Sequence, residues 1–280
     1  MGQAFVKLSG GGNDFLALVE PASVPRREEI AAWCSRGLSL GADGLFVLER
    51  SAAGARMTYF NADGREAALC LNGTRCAARL AFAEGWAERE VTIETGAGRV
   101  AARLSGPTTV VLALPAPSSP APAAAEVEGI LHPGWSVEVG VPHFVLIWPA
   151  RLDEAPVASL GRALRAHPTF APRGTNVDFV GFADPGRLEI RTWERGVERE
   201  TLACGTGALA AAATGLALGR SRLPVTVETR GGFLLEVGEG APGSWTLGGD
   251  ARVVARGELL PEAATLPVPP PGSATVPEAG

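Results

Sequence analysis

Cys204 lies within the segment Arg195-Gly-Val-Glu-Arg-Glu-Thr-Leu-Ala-Cys204-Gly-Thr-Gly-Ala-Leu-Ala-Ala-Ala-Ala-Thr214, polar before the cysteine and small, apolar and Ala-rich after it. The second part is expected to be a helix that its neighbours approach closely, with Cys204 at its start. The first N–H groups of a helix have no internal partner, and the helix dipole favours negative charge there. A cysteine in that position ionises more readily than a free thiol of pKa about 8.5. The same N–H groups can hold a carboxylate. Taken alone, the pattern equally describes a buried cysteine that fills space at a small-residue helix start.

A second copy of the pattern changes the balance. Cys204 follows Cys70 by 134 positions, and Val225-Thr-Val-Glu-Thr229 follows Val91-Thr-Ile-Glu-Thr95 by the same 134. Glu66 and Glu200 each precede their cysteine by four residues, and Gly73 and Gly207 each follow by three. Upstream, Gly41 to Phe46-Val47 aligns with Gly174 to Phe179-Val180 at an offset of 133. Two long units make a tandem duplication rather than a solenoid. The expected fold is α+β, two pseudo-symmetric domains of strands around a helix, with a cysteine at each helix start and a site between the halves.

Two thiols facing one small molecule from opposite sides have a defined chemistry. One, as thiolate, removes a proton from a stereocentre, and the other, as thiol, delivers a proton to the opposite face; the roles exchange in the reverse direction. The α-proton of an amino acid is weakly acidic, so the developing carbanion needs electrostatic stabilisation. Two helix N-termini aimed at the substrate carboxylate supply it.

Around these helices, residues 4–8 and 14–19 read as strands flanking the turn Ser9-Gly-Gly-Gly-Asn13, and 26–36 as a helix. Strands at 45–48 and 57–60 precede the turn Asn61-Ala-Asp-Gly64, and a helix is expected from Glu66 to Phe82. Residues 91–95, 98–104 and 109–114 read as a meander. Pro115 to Ala125, rich in Pro, Ala and Ser, is the expected linker. It separates domains at 1–115 and 126–249. Asp153 to Ala166 is expected to be helical, and the tail at 257–280 disordered.

With 280 residues, 46% of them hydrophobic, the chain can bury one large core or two ordinary ones. A net charge of −5 leaves no basic footprint for nucleic acid or an anionic membrane surface. No apolar run reaches the roughly 18–20 residues of a membrane span. No basic segment followed by an apolar run stands at the N-terminus, and four cysteines without one read as reduced thiols, so a cytoplasmic protein is expected. Cys34 and Cys76 have no partner in the repeat and read as structural thiols. The cysteines and three scattered histidines form no zinc pattern, so no metal is expected.

At these residues the sequence resembles the diaminopimelate epimerases. The matching segments are Gly12-Asn-Asp-Phe15, Gly41-Ala-Asp-Gly44, Phe60-Asn-Ala-Asp-Gly64, Cys70-x-Asn-Gly-Thr-Arg75, Pro142-His143, Gly174-Thr-Asn176, Glu194-Arg-Gly196 and Ala203-Cys-Gly-Thr-Gly207. They run in order along nearly the whole chain. The resemblance implies a cofactor-independent isomerase that interconverts LL- and meso-diaminopimelate, a precursor of lysine and peptidoglycan. Its fold has a curved sheet wrapped around a central helix in each domain, and its last strand, near Arg252 to Ala255, crosses back to the first domain.

The resemblance also implies roles. Cys70 and Cys204 transfer protons, and His143 and Glu194 tune the thiols and position the reacting amino group. The backbone N–H groups of Leu71, Asn72, Gly205 and Thr206 meet the reacting carboxylate. Asn61, Asn176 and Arg195, with Asn13 nearby, meet the distant amino-acid head, where a guanidinium can bond both oxygens of a carboxylate. A homodimer is suggested. Two positions depart from the family pattern: Leu71 stands where glycine is usual, and Val141 where asparagine often precedes Pro-His.

Three other readings compete. Gly205-Thr-Gly-Ala-Leu-Ala210 fits a dinucleotide fingerprint with Glu228 downstream, but the polar Arg195-Gly-Val-Glu-Arg-Glu200 before it is no buried parallel strand. A non-catalytic amino-acid-binding module keeps the Asn and Arg ligands but has no need of both thiols. A sister enzyme acting on another amino acid stays open through Leu71 and Val141.

Overall fold

The computed structural model describes residues 2–265. The first half contains β1 (Gln3–Gly10), β2 (Asn13–Val19), α1 (Arg27–Cys34), β3 (Gly44–Ser51), β4 (Gly54–Asn61), β5 (Glu66–Ala67), α2 (Leu71–Ala83), β6 (Glu90–Thr95), β7 (Gly98–Leu104) and β8 (Thr109–Pro115). The second contains β9 (Ala121–Val127), β10 (Ile130–Glu138), β11 (Pro142–Ile147), α3 (Arg162–Arg165), β12 (Asn176–Asp184), β13 (Arg187–Glu194), β14 (Arg199–Thr201), α4 (Gly205–Ala217), β15 (Val225–Thr229), β16 (Leu234–Glu239) and β17 (Ser244–Asp250). A last strand, β18 (Arg252–Leu259), follows.

The duplication is visible in the pairing. Parallel β2–β3 and β4–β6 match parallel β11–β12 and β13–β15. Antiparallel β1–β2, β3–β4, β6–β7 and β7–β8 match β10–β11, β12–β13, β15–β16 and β16–β17. The two curved sheets join where β8 pairs antiparallel with its own counterpart β17, Leu112 opposite Leu247. A pseudo-twofold axis therefore passes beside that pair.

Each sheet wraps one helix. α2 packs on the strands of the first half and α4 on those of the second, and one continuous core contains Ala77, Ala78 and Leu80 of α2 with Ala208 to Ala213 of α4. The run of alanines lets strand side chains come close to the α4 backbone, and in return these residues are buried, Ala208 to Ala212 completely. Two smaller cores flank it, one around Leu16, Trp33 and Leu45, the other around Phe144, Phe179 and Trp193.

The structure corrects several expectations. The expected linker is only half a linker, because Ala121–Val127 forms β9 and pairs with β10. Pro122 is tolerated there because β9 is the edge of its sheet, where a missing N–H costs no ladder bond. The tail is ordered to Thr265: β18 runs to Leu259 and pairs with β1 from Gln3 to Ser9, Leu259 is buried, and a 3-10 turn at Pro261–Ala264 packs on α1. Residues 266–280 lie outside the described part. The helix expected from Glu66 starts only at Leu71, since Glu66–Ala67 pairs with β4. The helix expected from Asp153 is interrupted at Pro156 into short turns and the single turn of α3.

Candidate active site

Cys70 and Cys204 are the N-cap residues of α2 and α4. Both have extended backbone, and each Sγ accepts the N–H of the third helical residue at 3.4 Å, Gly73 for Cys70 and Gly207 for Cys204. The thiols thus occupy the place where Ser or Asp ordinarily caps a helix. The two helix starts abut. A Cβ built on Gly205 would lie 3.2 Å from the Leu71 Cβ and 3.1 Å from a Leu247 methyl. Leu71, the unusual residue beside the first cysteine, is accordingly buried against the opposite helix start.

Burial and charge set the thiols. Burial pushes Cys70 up to about 11, against the pull of the Gly73 N–H; the Glu194 charge adds to the rise, and the Tyr59 hydroxyl and Arg75 oppose it. Cys204 is held well above the ordinary thiol value by burial and then by the charges of Glu194 and Asp178. Glu194 itself is raised by burial. Both buried thiols are therefore protonated at neutral pH, and ionising one requires a positive partner. An incoming ammonium group and the helix dipoles are such partners.

His143 and Asp178 form a buried pair, His143 Nδ1 to Asp178 Oδ2 at 2.7 Å, both side chains 0% exposed. A carboxylate only accepts, so His143 donates from Nδ1, and in the neutral ring Nε2 is then the acceptor. The second Asp178 oxygen accepts the Thr192 hydroxyl at 2.7 Å. Gly207 permits the close approach, since a Cβ there would lie 2.6 Å from Asp178 Oδ1. Asp178 was not among the residues singled out from the sequence. Its signal was a lone acid between apolar Val177 and Phe179, on the same strand face as Asn176.

Asn176 ties this pair to the substrate-head residues. Its Oδ1 accepts the Arg195 N–H at 2.8 Å, and its Nδ2 donates to Pro142 O at 3.1 Å and approaches His143 Nε2 at 3.4 Å. Its amide therefore locks β11, β12 and the end of β13 together. Arg195 is held by one bond, Nη1 to Arg173 O at 3.1 Å, while its buried Nε has no partner. An unpaired buried donor is costly, and a carboxylate ligand would satisfy it. Asn61 is the last residue of β4, as Glu194 is of β13; it is exposed, and its backbone closes the turn to Gly64 and Arg65.

Asn13 and Asn72 are joined, Asn72 Nδ2 to Asn13 Oδ1 at 2.7 Å, and Asn13 Nδ2 reaches Asp43 at 3.1 Å. Asp43 sits in an ion network with Arg36 at 3.0 Å and, across the halves, Arg199 at 3.8 Å. Thr206 Oγ1 lies 3.4 Å from Cys204 Sγ. The site residues read from the sequence thus fall on the two helix starts and on the ends of β4, β11, β12 and β13, with Asn13 at the β1–β2 turn. A cavity of about 720 Å³ lies elsewhere, beside Arg50 and Trp86.

Comparison with known proteins places this architecture. A family model described as diaminopimelate epimerase matches residues 5–114 and 135–242. A diaminopimelate epimerase of Hydrogenobaculum sp. is 38% identical over 82% of this chain and 89% of its own length. That of Caldanaerobacter subterraneus is also 38% identical, over 91% and 98%. Among solved structures, a predicted epimerase from Pseudomonas aeruginosa superimposes with a TM-score of 0.69 at 19% identity, covering 92% of this chain and 99% of its own. A probable proline racemase from Agrobacterium radiobacter gives 0.69 at 17%, covering 95% and 96%. At such identities these two establish the fold alone.

Proposed function

This chain belongs to the diaminopimelate epimerase family, and we propose that it interconverts LL- and meso-diaminopimelate by proton transfer between Cys70 and Cys204. One observation carries the reading: two capping thiols, related by the internal twofold, sit on helix starts that touch at Leu71 and Gly205. A stereocentre held between the starts presents one face to each sulfur. The thiolate breaks the Cα–H bond and takes the proton, and the electron pair passes into the adjacent carboxylate as it takes on enolate character. The opposite thiol then gives its S–H proton to Cα, which leaves it as the thiolate.

The remaining residues make this step affordable. Backbone N–H groups of Leu71, Asn72, Gly205 and Thr206 face the charge that grows on the carboxylate. His143 Nε2, kept as an acceptor by Asp178, and Glu194 receive the α-ammonium group. Arg195 takes the distal carboxylate at its free Nε. The substrate is a small amino acid. A homodimer and a cytoplasmic location, which family membership suggests, complete the reading; sedimentation and cell fractionation test them.

The test is direct. Purified, reduced enzyme is given LL-diaminopimelate without added cofactor, beside a panel of other amino acids, and products are resolved by chiral chromatography. Conversion of diaminopimelate to the meso form, lost in Cys70→Ala and in Cys204→Ala, is expected. Turnover of another amino acid in its place would move the substrate and keep the chemistry. No turnover of any would overturn the reading.

A further inference from the structure

Arg75 is the most anomalous charged residue of the fold. It stands in the second turn of α2 and is 0% exposed, yet it makes one hydrogen bond, Nη2 to Asn72 Oδ1 at 2.5 Å. Its Nε and Nη1 are buried without partners. Asp250, whose charge reaches it, is engaged elsewhere: its Oδ1 accepts the Gly11 N–H at 2.8 Å, and its Oδ2 faces Arg252 at 3.3 Å. A buried cation without a counter-ion is among the costlier features a core can hold.

Its placement indicates a use. Side chains on a helix lean toward the N-terminus, so the guanidinium lies beneath the first turn, where it meets Asn72. Two glycines clear the space. A Cβ on Gly11 would lie 2.7 Å from Nη2, and one on Gly249 would lie 3.1 Å from Cζ and Nε. The bond also orients an amide relay. Arginine only donates, so Asn72 turns Oδ1 to it and Nδ2 to Asn13 Oδ1, and Asn13 is left to donate to Asp43.

The second helix start has no such feature. The repeat offset of 134 carries Arg75 onto Leu209, buried and apolar. Around Cys204 the nearby charges are the acids Glu194, which also reaches Cys70, and Asp178. The two halves match in backbone, but only the α2 start has a buried guanidinium beside it.

We propose that Arg75 is a positioning residue that makes the α2 start the anion-favouring one of the two, holding the Asn72 amide and supplying a fixed positive charge for the reacting carboxylate and the Cys70 thiolate. Cys70 is then the thiol that ionises first and Cys204 the one that rests protonated. Both thiols are raised by burial and by the Glu194 charge, but Arg75 opposes the rise at Cys70 whereas Asp178 adds to it at Cys204. The proposal rests on the two-thiol reading above, but its test does not need substrate.

The experiment follows alkylation of Cys70 and Cys204 by iodoacetamide as a function of pH, by peptide mass spectrometry, in the wild-type chain, Arg75→Gln and Arg75→Lys. Circular dichroism selects the folded variants. Gln removes the charge and can still donate to Asn72; Lys keeps the charge. The expected results are a Cys70 midpoint below that of Cys204 in the wild type and a rise of about one pH unit, tenfold less thiolate at a given pH, in Arg75→Gln. Cys204 should not move, and Arg75→Lys should restore the Cys70 midpoint. In turnover, Arg75→Gln should raise KM and lower kcat/KM by tenfold or more, with recovery in Arg75→Lys. Equal midpoints in the wild type, or a Cys70 profile unchanged in a folded Arg75→Gln, would overturn the proposal. Should Arg75→Gln fail to fold, a Cys70 midpoint raised in Arg75→Lys would do the same. An alkylation pattern as expected in a chain that epimerises nothing would leave the anion site standing and remove the epimerase reading.

Discussion

His143 is useful to the reaction only in one tautomer, and Asp178 selects it through the 2.7 Å bond to Nδ1. In Asp178→Asn the amide can offer its N–H to Nδ1, moving the ring proton to Nε2 and turning an acceptor for the substrate ammonium into a donor against it. A fall in kcat of about 100-fold is expected, with the thermal melt kept within a few degrees. A wild-type kcat in this variant would remove the tautomer from the account. At this scale the sequence was most legible where chemistry demands a particular residue type. Cys70 and Cys204 could be named from their matched places in the repeat, whereas His143 and Arg195 were named only through the family resemblance. Asp178 escaped because it acts from behind His143, and burial of an acid is a tertiary fact. The partners of Asn176 escaped for a similar reason, since Pro142, His143 and Arg195 meet it only once β11, β12 and β13 align.

Strands were legible where alternation or an apolar run marked them, and illegible where composition pointed elsewhere. β9, with its prolines and alanines, reads as a linker because it packs one face lightly at a sheet edge and has little to bury. The resemblance gave the start of β18 as a strand crossing back to the first half, and only its end, from Gly257, read as tail; its backbone closes the first sheet in the place that β9 takes in the second. Alternation cannot report a strand whose partner is some 250 residues away. Leu259 anchors that strand at 4% exposure, within the small core around Leu16 and Trp33. Leu259→Ala should cost about 2–4 kcal/mol in urea unfolding. A change under about 0.5 kcal/mol, the range of ordinary surface substitutions, would show that β18 does not hold the first half together.

For the molecule as a whole, duplication was readable from two cysteines and one repeated pentapeptide, because a rigid offset leaves a trace that survives sequence drift. The axis itself was not readable, for it lies in the β8–β17 pairing of Leu112 with Leu247, and register between distant strands has no local mark. Burial of Cys70 also makes stability depend on pH. Cys70 titrates near 11 in the fold against about 9 for an ordinary thiol, with burial as the main cause. Between those values the folded chain keeps a proton that the unfolded chain has lost, so stability is full below pH 9 and falls as pH rises toward 11. The contribution of this one thiol is at most about 3 kcal/mol. Urea midpoints should decline across that window, and the decline should be shallower in Cys70→Ala. An identical slope in both would show that Cys70 is not held protonated by the fold.

The central claim is that two different sulfurs handle the proton, one on each face. Its most direct test is epimerisation of LL-diaminopimelate in deuterated water, with the label in substrate and product followed at early times by mass spectrometry after chiral separation. With two bases, the proton leaves to one sulfur and a solvent-derived deuteron arrives from the other. The meso product should therefore carry deuterium from the first turnover while unreacted substrate stays unlabelled, and Cys70→Ala and Cys204→Ala should each abolish inversion. Deuterium accumulating in the remaining substrate as fast as in the product, or inversion surviving in either variant, would contradict the account.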